Sequence, residues 1–203
     1  MPKLINHDER RERIAEATWR VIVRDGVAGA SVRTVAAEAG LSAGSLRHVF
    51  ASQSQLLAFA LELVVDRAVT RVAAMPSRST AVATVEAVAA ELLPLDRERR
   101  AEMEVYLALF DAANVDTALR TPRDEAYQKM RNGCRWMIDR LDNGVDLAAD
   151  ADREQEAARL HALIDGLAAH LVWEPLDADP DWAHDILLSH IRSLRSSTRP
   201  ADR

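Results

Sequence analysis

Small and polar side chains follow one another in the run from Gly40 to His48. Ser42 and Ser45 offer hydroxyl groups, whereas Gly44 leaves the backbone without a side chain. Arg47 adds a guanidinium, which can pair with a phosphate or with the edge of a guanine. Grouped at the exposed start of a short helix, these groups are suited to close contact with the phosphates and base edges of a nucleic acid.

The segment Gly40 to Gly44 also matches the G-x-S-x-G pattern in which a hydrolase presents a nucleophilic serine. That pattern requires a turn between a strand and a helix, and an Ala-rich helical sequence precedes it here. Ser42 is therefore better explained as a helix cap, and we expect no catalytic residues.

Two further groups of side chains offer candidate chemistry. His161 and Asp165 stand four residues apart on one predicted helix, a spacing that can ligate a metal ion. No third ligand is predictable, so we expect a polar pair, no metal and no cofactor. The single cysteine, Cys134, excludes an internal disulfide and most cysteine-based metal sites, which suits a reducing cytoplasm. We expect it to be a small core residue.

Three short predicted helices position the run that begins at Gly40. The first carries apolar residues at helical spacing and ends at Gly26. The second begins after Ser31, and Gly40 ends it because glycine adopts the left-handed turn conformation without strain. The third begins after Ser42 and turns Leu46 inward. Two helices joined by a tight glycine-containing turn predict a helix-turn-helix unit.

The rest of the chain is also predicted to be helical, because helix formers dominate and β-branched residues are scattered. The predicted segments run over about 54–75, 80–92, 97–113, 121–141, 152–174 and 179–196. The fold class is therefore all-α, with an N-terminal three-helix domain followed by a helical bundle. The longest apolar stretch, Leu56–Val65, contains Glu62 and is too short to cross a bilayer, so no membrane partner is expected.

Charge is distributed unevenly along a chain whose net charge is −6. The first 50 residues hold eight Lys or Arg against six Asp or Glu, and the remainder holds 18 against 26. A mildly basic head on an acidic body can orient a protein on DNA, although chance accounts for the asymmetry about equally well.

At this point the sequence resembles a known family. Residues Val32–Phe50 resemble the DNA-binding domain of the TetR family, and Ser52–Leu57 is similar to the start of its fourth helix. Leu163–Leu167 is similar to the penultimate helix of the subgroup with a BetI-like C-terminal domain. The resemblance implies a DNA-binding domain over 1–52 and a ligand-binding and dimerisation domain over 53–203.

The resemblance also implies particular DNA contacts. Arg47 stands where the family commonly has Tyr, and Gln53 stands where it has Lys, so Gln53 lacks a charge that would strengthen salt-dependent binding. Lys3 and Arg10 are expected to approach the DNA backbone. The residues implied to face the major groove are Ser42, Ala43, Gly44, Ser45 and His48, and those implied to contact phosphates are Thr34, Arg47 and Gln53.

An effector pocket is expected between residues 97 and 174, lined by apolar side chains with a few polar groups. The candidate residues are Met103, Tyr106, Phe110, Trp136, His161 and Asp165. Acidic residues in this region favour a neutral or cationic apolar molecule over an anion.

A dimer interface is expected on the last two helices, because each carries apolar stripes that require burial. The first of these helices also has a small-residue face that includes Gly166 and Ala169. A two-fold dimer is the default oligomer and matches a palindromic operator. The expected interface residues are Leu160, Ile164, Leu167, Leu171, Ile186, Leu187, Ile191 and Leu194.

These features predict a ligand-responsive transcriptional regulator, most simply a repressor, that binds double-stranded DNA as a homodimer and is released by a small-molecule effector. An activator, or a regulator controlled by a protein partner, would share the same fold. A small all-helical enzyme using His161 and Asp165, or a structural adaptor without DNA affinity, is a more remote alternative.

Overall fold

The computed structural model describes residues 7–76, 78–143, 147 and 151–194, and the secondary-structure elements within these ranges are helices. The all-α fold class is therefore confirmed. Lys3 lies outside the described residues. Within them the α-helices are α1 His7–Asp25, α2 Val32–Glu38, α3 Ala43–Arg47, α4 Gln53–Ala73, α5 Ala81–Glu91, α6 Arg97–Ala112, α7 Arg120–Asn143, α8 Arg153–Trp173 and α9 Asp181–Ser193.

The ends of the first three helices are set by the residues that the sequence indicated. Ser31 caps α2 by accepting a hydrogen bond from the backbone N–H of Thr34. Ser42 caps α3 by accepting one from the backbone N–H of Ser45 at 3.0 Å. Gly26 and Gly40 both have positive φ angles, 75° and 67°, which side chains disfavour. The chain can therefore turn sharply after α1 and again between α2 and α3.

The start of α7 differs from the sequence-based expectation. Thr121 and Pro122 predict a cap followed by the first helical turn, but α7 already begins at Arg120. A short 3-10 helix over Thr117–Leu119 precedes it, and the Asp116 carboxylate accepts from the backbone N–H of Ala118. Asp116 therefore takes the capping role that the sequence assigned to Thr121, because the added 3-10 turn moves the helix start upstream.

The described chain forms two compact units. The first comprises Met1–Val69 and Ala101–Ala126. In it α1 packs against α2 and α2 against α3, around a buried core that includes Ile14, Val35 and Leu46. The indole N–H of Trp19 donates to the backbone carbonyl of Ala60 at 3.0 Å, which joins α1 to α4. The buried core of this unit includes Ile14, Ala17, Val21, Ile22, Val35, Leu46, Leu56, Leu61, Val105 and Leu109.

The second unit comprises Thr70–Arg100 and Tyr127–Arg203. In it α9 packs against both α5 and α8. The Arg100 guanidinium donates to the backbone carbonyl of Val172 at 2.8 Å, and Arg192 pairs with Glu86 at 2.7 Å. These units are defined by packing, so the functional division into 1–52 and 53–203 stays a prediction. No helix in the described ranges is both long and apolar enough to span a bilayer.

Candidate DNA-binding helix and effector residues

The short helix α3 is held in the first unit by one apolar anchor. Leu46 is fully buried, and Phe50 just beyond the helix is also buried. Gly40 turns the chain into this helix, and Ser42 caps it. Leu46 thus holds the inward side of α3, where Ala43 also packs against the core, while Gly44 and Arg47 lie at the exposed surface.

The predicted DNA-contact residues lie on or next to α3. Gly44, Arg47 and His48 are exposed, as is Ser42 at the cap. Gln53, the first residue of α4, is exposed as well. Ala43 and Ser45 are half-buried. A surface of hydroxyl, amide, imidazole and guanidinium groups is thereby available to a nucleic acid.

The hydroxyl group of Thr34 is already hydrogen-bonded within the chain. Its hydroxyl donates to the backbone carbonyl of Gly29 at 2.5 Å and accepts from the backbone N–H of Ser31 at 2.9 Å. This arrangement completes the reciprocal cap of α2. A phosphate contact from the Thr34 hydroxyl would therefore compete with these bonds.

A contact that sequence reasoning missed joins α1 to α3. One terminal nitrogen of the Arg10 guanidinium donates to the Ser45 hydroxyl, and it also donates to the Ser45 backbone carbonyl at 3.4 Å. The two residues are 35 positions apart, and no helical periodicity connects them. Arg10 was expected at the DNA backbone, and the structure places it against α3.

The candidate effector residues are divided between the two units. Met103, Tyr106 and Phe110 belong to the first unit on α6, where the Tyr106 and Phe110 ring centroids are 4.2 Å apart. Trp136 belongs to the second unit on α7 and is exposed. His161 and Asp165 also belong to the second unit, on α8.

The structure brings His161 and Asp165 together. His161 is only 5% exposed, and its Nε2 lies 3.3 Å from an Asp165 carboxylate oxygen. The Tyr127 ring lies against His161 with a centroid distance of 5.0 Å. Desolvation raises the pKa of the Asp165 carboxyl above its ordinary value, and His161 opposes that rise. His161 is buried, whereas the Asp165 side chain is 47% exposed, so the pair is a polar site that solvent reaches from the Asp165 side.

Tyr127 and Cys134 complete this group, which we call the His161 cluster (Tyr127, Cys134, His161 and Asp165). Burial, with a smaller contribution from Asp165, raises the pKa of the Cys134 thiol to about 12. The thiol is therefore protonated and inert at neutral pH. Tyr127 and Cys134 are seven residues apart on α7, a spacing of one helix face that the sequence shows. Within the described ranges, no three His, Cys, Asp or Glu side chains are grouped to hold a metal ion.

The expected dimer residues are mostly enclosed within a single chain. Ile186 is 45% exposed, and the other seven are buried in the second unit. The apolar stripes of α8 and α9 thus form the core of this unit. The exposed side chains of the same helices are mostly small or polar, apart from the large apolar Trp173 and Ile186. The small and polar ones include Ala158, Ala162, Gly166, His170 and Ser189.

Comparison with protein families matches two parts of the chain, residues 14–59 and residues 81–196. Residues 14–59 match the family described as bacterial regulatory proteins of the tetR family. Residues 81–196 match the C-terminal domain described as a BetI-type transcriptional repressor. The HTH-type transcriptional regulator PksA of Bacillus subtilis (strain 168) is 39% identical, over 96% of this chain and 94% of its own length.

Solved structures show the same architecture. A transcriptional regulator from Rhodococcus sp. Rha1 superposes with a TM-score of 0.79 at 30% identity, covering 91% of this chain and 95% of that one. A transcriptional regulator from Saccharomonospora viridis, in complex with choline, superposes with a TM-score of 0.76 at 25% identity. That alignment covers 91% of this chain and 96% of the other.

Proposed function

Because this chain belongs to the TetR family of transcriptional regulators, we propose that it represses transcription by binding a palindromic operator as a dimer and that a small-molecule effector releases it. The observation that carries the proposal is the surface of α3, where Arg47 and His48 are exposed while Leu46 anchors the helix. The chain is a transcriptional regulator and not the small all-helical enzyme that His161 and Asp165 left open.

In this proposal α3 enters the major groove, as the second helix of a helix-turn-helix does. Ser42, Ala43, Gly44, Ser45 and His48 approach the base edges, while Arg47 and Gln53 contact phosphates. Phosphate contacts supply affinity without sequence preference, and base contacts supply the preference. The two kinds of contact can therefore be separated by their salt dependence.

Arg47→Ala is expected to weaken binding to all duplex sequences and to lower the slope of log affinity against log salt by about 1, since one phosphate contact is lost. The measurement is a fluorescence anisotropy titration at several salt concentrations. Arg140→Ala is the matched control, because Arg140 is an exposed arginine on α7. A changed base preference with an unchanged slope would show that Arg47 reads a base instead.

The proposed dimer uses the exposed side of α8 and α9. Their buried stripes are occupied within the chain, so the exposed Ile186 and the small residues beside it are the surface left for a second copy. Small side chains allow two helices to approach closely, and a two-fold axis pairs the same patch from both subunits.

The proposed effector is a cation with apolar substituents. The Asp165 carboxylate supplies the charge and Tyr127 an aromatic face, which is the chemistry that recognises quaternary ammonium groups. The relative from Saccharomonospora viridis was solved with choline, a molecule of this class. Trp136, which belongs to the same unit as Asp165 and Tyr127, remains proposed as apolar lining. An effector role for Met103, Tyr106 and Phe110 of the first unit stays a separate prediction.

Effector binding and operator binding should weaken each other by the same factor, because linkage is reciprocal. The test screens quaternary ammonium and amine cations for release of operator, then titrates each active compound against protein with and without operator. We expect a ratio of about 5- to 150-fold between the two affinities. Equal affinities would end the coupling proposal.

The same titration should depend on pH through Asp165. Its raised pKa means that the carboxyl becomes protonated, and loses its attraction for a cation, at a higher pH than an ordinary aspartate. Effector affinity should therefore fall as the pH drops through that pKa. Asp165→Asn should show weak, pH-independent binding, and an unchanged pH profile in this variant would remove Asp165 from the site.

A further inference from the structure

Arg10 and Ser45 are joined in a way that restricts what Ser45 can offer to a ligand. The Arg10 guanidinium donates to the Ser45 hydroxyl oxygen and to the Ser45 backbone carbonyl. The backbone N–H of Ser45 is already used, because it donates to the Ser42 hydroxyl. The side-chain O–H is therefore the polar group of Ser45 that remains for a molecule approaching α3.

The direction of that O–H follows from the chemistry of a hydroxyl. A serine hydroxyl has one proton to donate and two lone pairs that accept. A guanidinium has donors only, so Arg10 must occupy a lone pair of the Ser45 oxygen. The O–H bond then points away from the guanidinium. The positive charge of Arg10 beside the remaining lone pair disfavours a second donor there, so Ser45 is presented as a hydrogen-bond donor.

We propose that Arg10 is a specificity-determining residue that acts through Ser45, fixing its hydroxyl as a donor to a base edge. This inference rests on the proposed function, in which α3 enters the major groove. The groups that can receive this donor are acceptors of that groove: guanine N7 or O6, adenine N7 and thymine O4. Arg10 is thus a positioning residue for base readout, and the operator carries an acceptor base opposite Ser45.

The surroundings of Arg10 favour this role over a simple phosphate contact. Its Nε is enclosed and hydrogen-bonds to no atom of the described residues. The neighbouring Arg11 guanidinium lies 4.4 Å from the centre of the Phe59 ring, so this part of α1 also contacts α4. Arg13, one turn further along, is exposed. Arg10, which is hydrogen-bonded to α3, and Arg13, which is exposed three residues away on the same helix, therefore make a matched pair for experiment.

The experiment uses the operator that the wild-type protein selects from random duplex DNA, and a set of its single base-pair variants. Affinities are measured for wild type, Arg10→Met, Ser45→Ala and the double variant, with Arg13→Met as the control that loses the same charge. Arg10→Lys serves as a second variant that keeps the charge and most of the stem. Thermal unfolding establishes that each variant is folded at the assay temperature.

Ser45→Ala should reduce discrimination at one base pair of each half-site by about three- to tenfold, the value of one hydrogen bond. Arg10→Met should reduce discrimination at that same base pair, and the double variant should show no further loss there. The salt slope should fall no more for Arg10→Met than for Arg13→Met. Arg10→Lys should restore part of the discrimination.

The inference is overturned if Arg10→Met weakens all sequences equally and flattens the salt slope beyond the Arg13→Met control, which is the behaviour of a phosphate contact. It is also overturned if Arg10→Met leaves every base preference unchanged, or if the base opposite Ser45 is a cytosine read through its amino group. Failure of the proposed function is distinct, because the wild-type protein would then select no sequence at all.

Discussion

Ile186→Glu is expected to convert the proposed dimer into monomers. Ile186 is 45% exposed within one chain, and it is the large apolar side chain that α9 leaves uncovered. In a two-fold dimer the substitution occurs twice at one interface, and burying unpaired carboxylates costs several kcal/mol. The dimer dissociation constant should rise by at least about a hundredfold, since 1.4 kcal/mol corresponds to a factor of ten.

The measurement is sedimentation velocity over a concentration series, with Val23→Glu as control. Val23 is 48% exposed on α1, so it receives the same charge at a similar exposure but on a helix that the proposed interface does not use. Gly166→Glu, on the exposed side of α8, should act like Ile186→Glu. An intact dimer in both variants would exclude this side of α8 and α9 as the interface.

A charge introduced at Leu167 or Ile191 tests the core of the second unit and not the dimer interface. Both side chains are buried in the second unit, so a carboxylate there would be forced into the core of one chain. We expect such variants to lose folded structure rather than to yield folded monomers. The comparison with Ile186→Glu therefore separates core residues from interface residues.

Leu46→Ala is expected to remove sequence-specific DNA binding by destabilising the first unit. Leu46 is fully buried and is the anchor of α3. A buried Leu→Ala change costs about 2–5 kcal/mol, because contacts are lost and a cavity remains. That loss is a large fraction of the stability of a typical domain. The measurements are chemical denaturation followed by circular dichroism, and operator binding at the same temperature.

Leu176→Ala is the control for this change. Leu176 is 69% exposed in the second unit, so the same atoms are removed without creating a cavity. Its effect should stay within about 0.5 kcal/mol. If Leu46→Ala left both stability and operator affinity unchanged, the position of α3 would not depend on Leu46. The packing described for α1, α2 and α3 would then be contradicted.

The first three helices, α1 to α3, could largely be predicted because the residues that begin and end them act locally. Ser31 and Ser42 precede helices that they cap, and Gly40 stands where a positive φ is needed. Each of these roles depends on atoms within a few residues along the chain. The helix-turn-helix could therefore be placed from the sequence, and the start of α7 was misplaced only because Asp116 formed an additional turn.

Contacts between distant elements were not predictable in the same way. Periodicity shows that Leu160 and Ile164 must be buried, but it does not tell burial within one chain from burial between two chains. The structure encloses both in the second unit and leaves Ile186 exposed. The Arg10–Ser45 contact spans 35 residues and leaves no periodic signal.

The proposed effector site contains one pair that the sequence predicted and one contact that it did not. His161 and Asp165 were recognisable as a pair because they share one turn of a helix. Their neighbour Tyr127 comes from α7, and only the packing of α7 against α8 in the second unit brings it within 5.0 Å of His161. The residues that touch an effector therefore stay a prediction.

Selection of bound sequences from random duplex DNA is the decisive test of operator binding by α3. We expect enrichment of an inverted repeat whose half-sites are about one helical turn or a multiple of it apart, since two α3 helices must enter successive major grooves. Affinity for that repeat should fall steeply with salt. If the folded wild-type protein enriched no sequence, at low salt and over a wide concentration range, sequence-specific DNA binding by this protein would be contradicted.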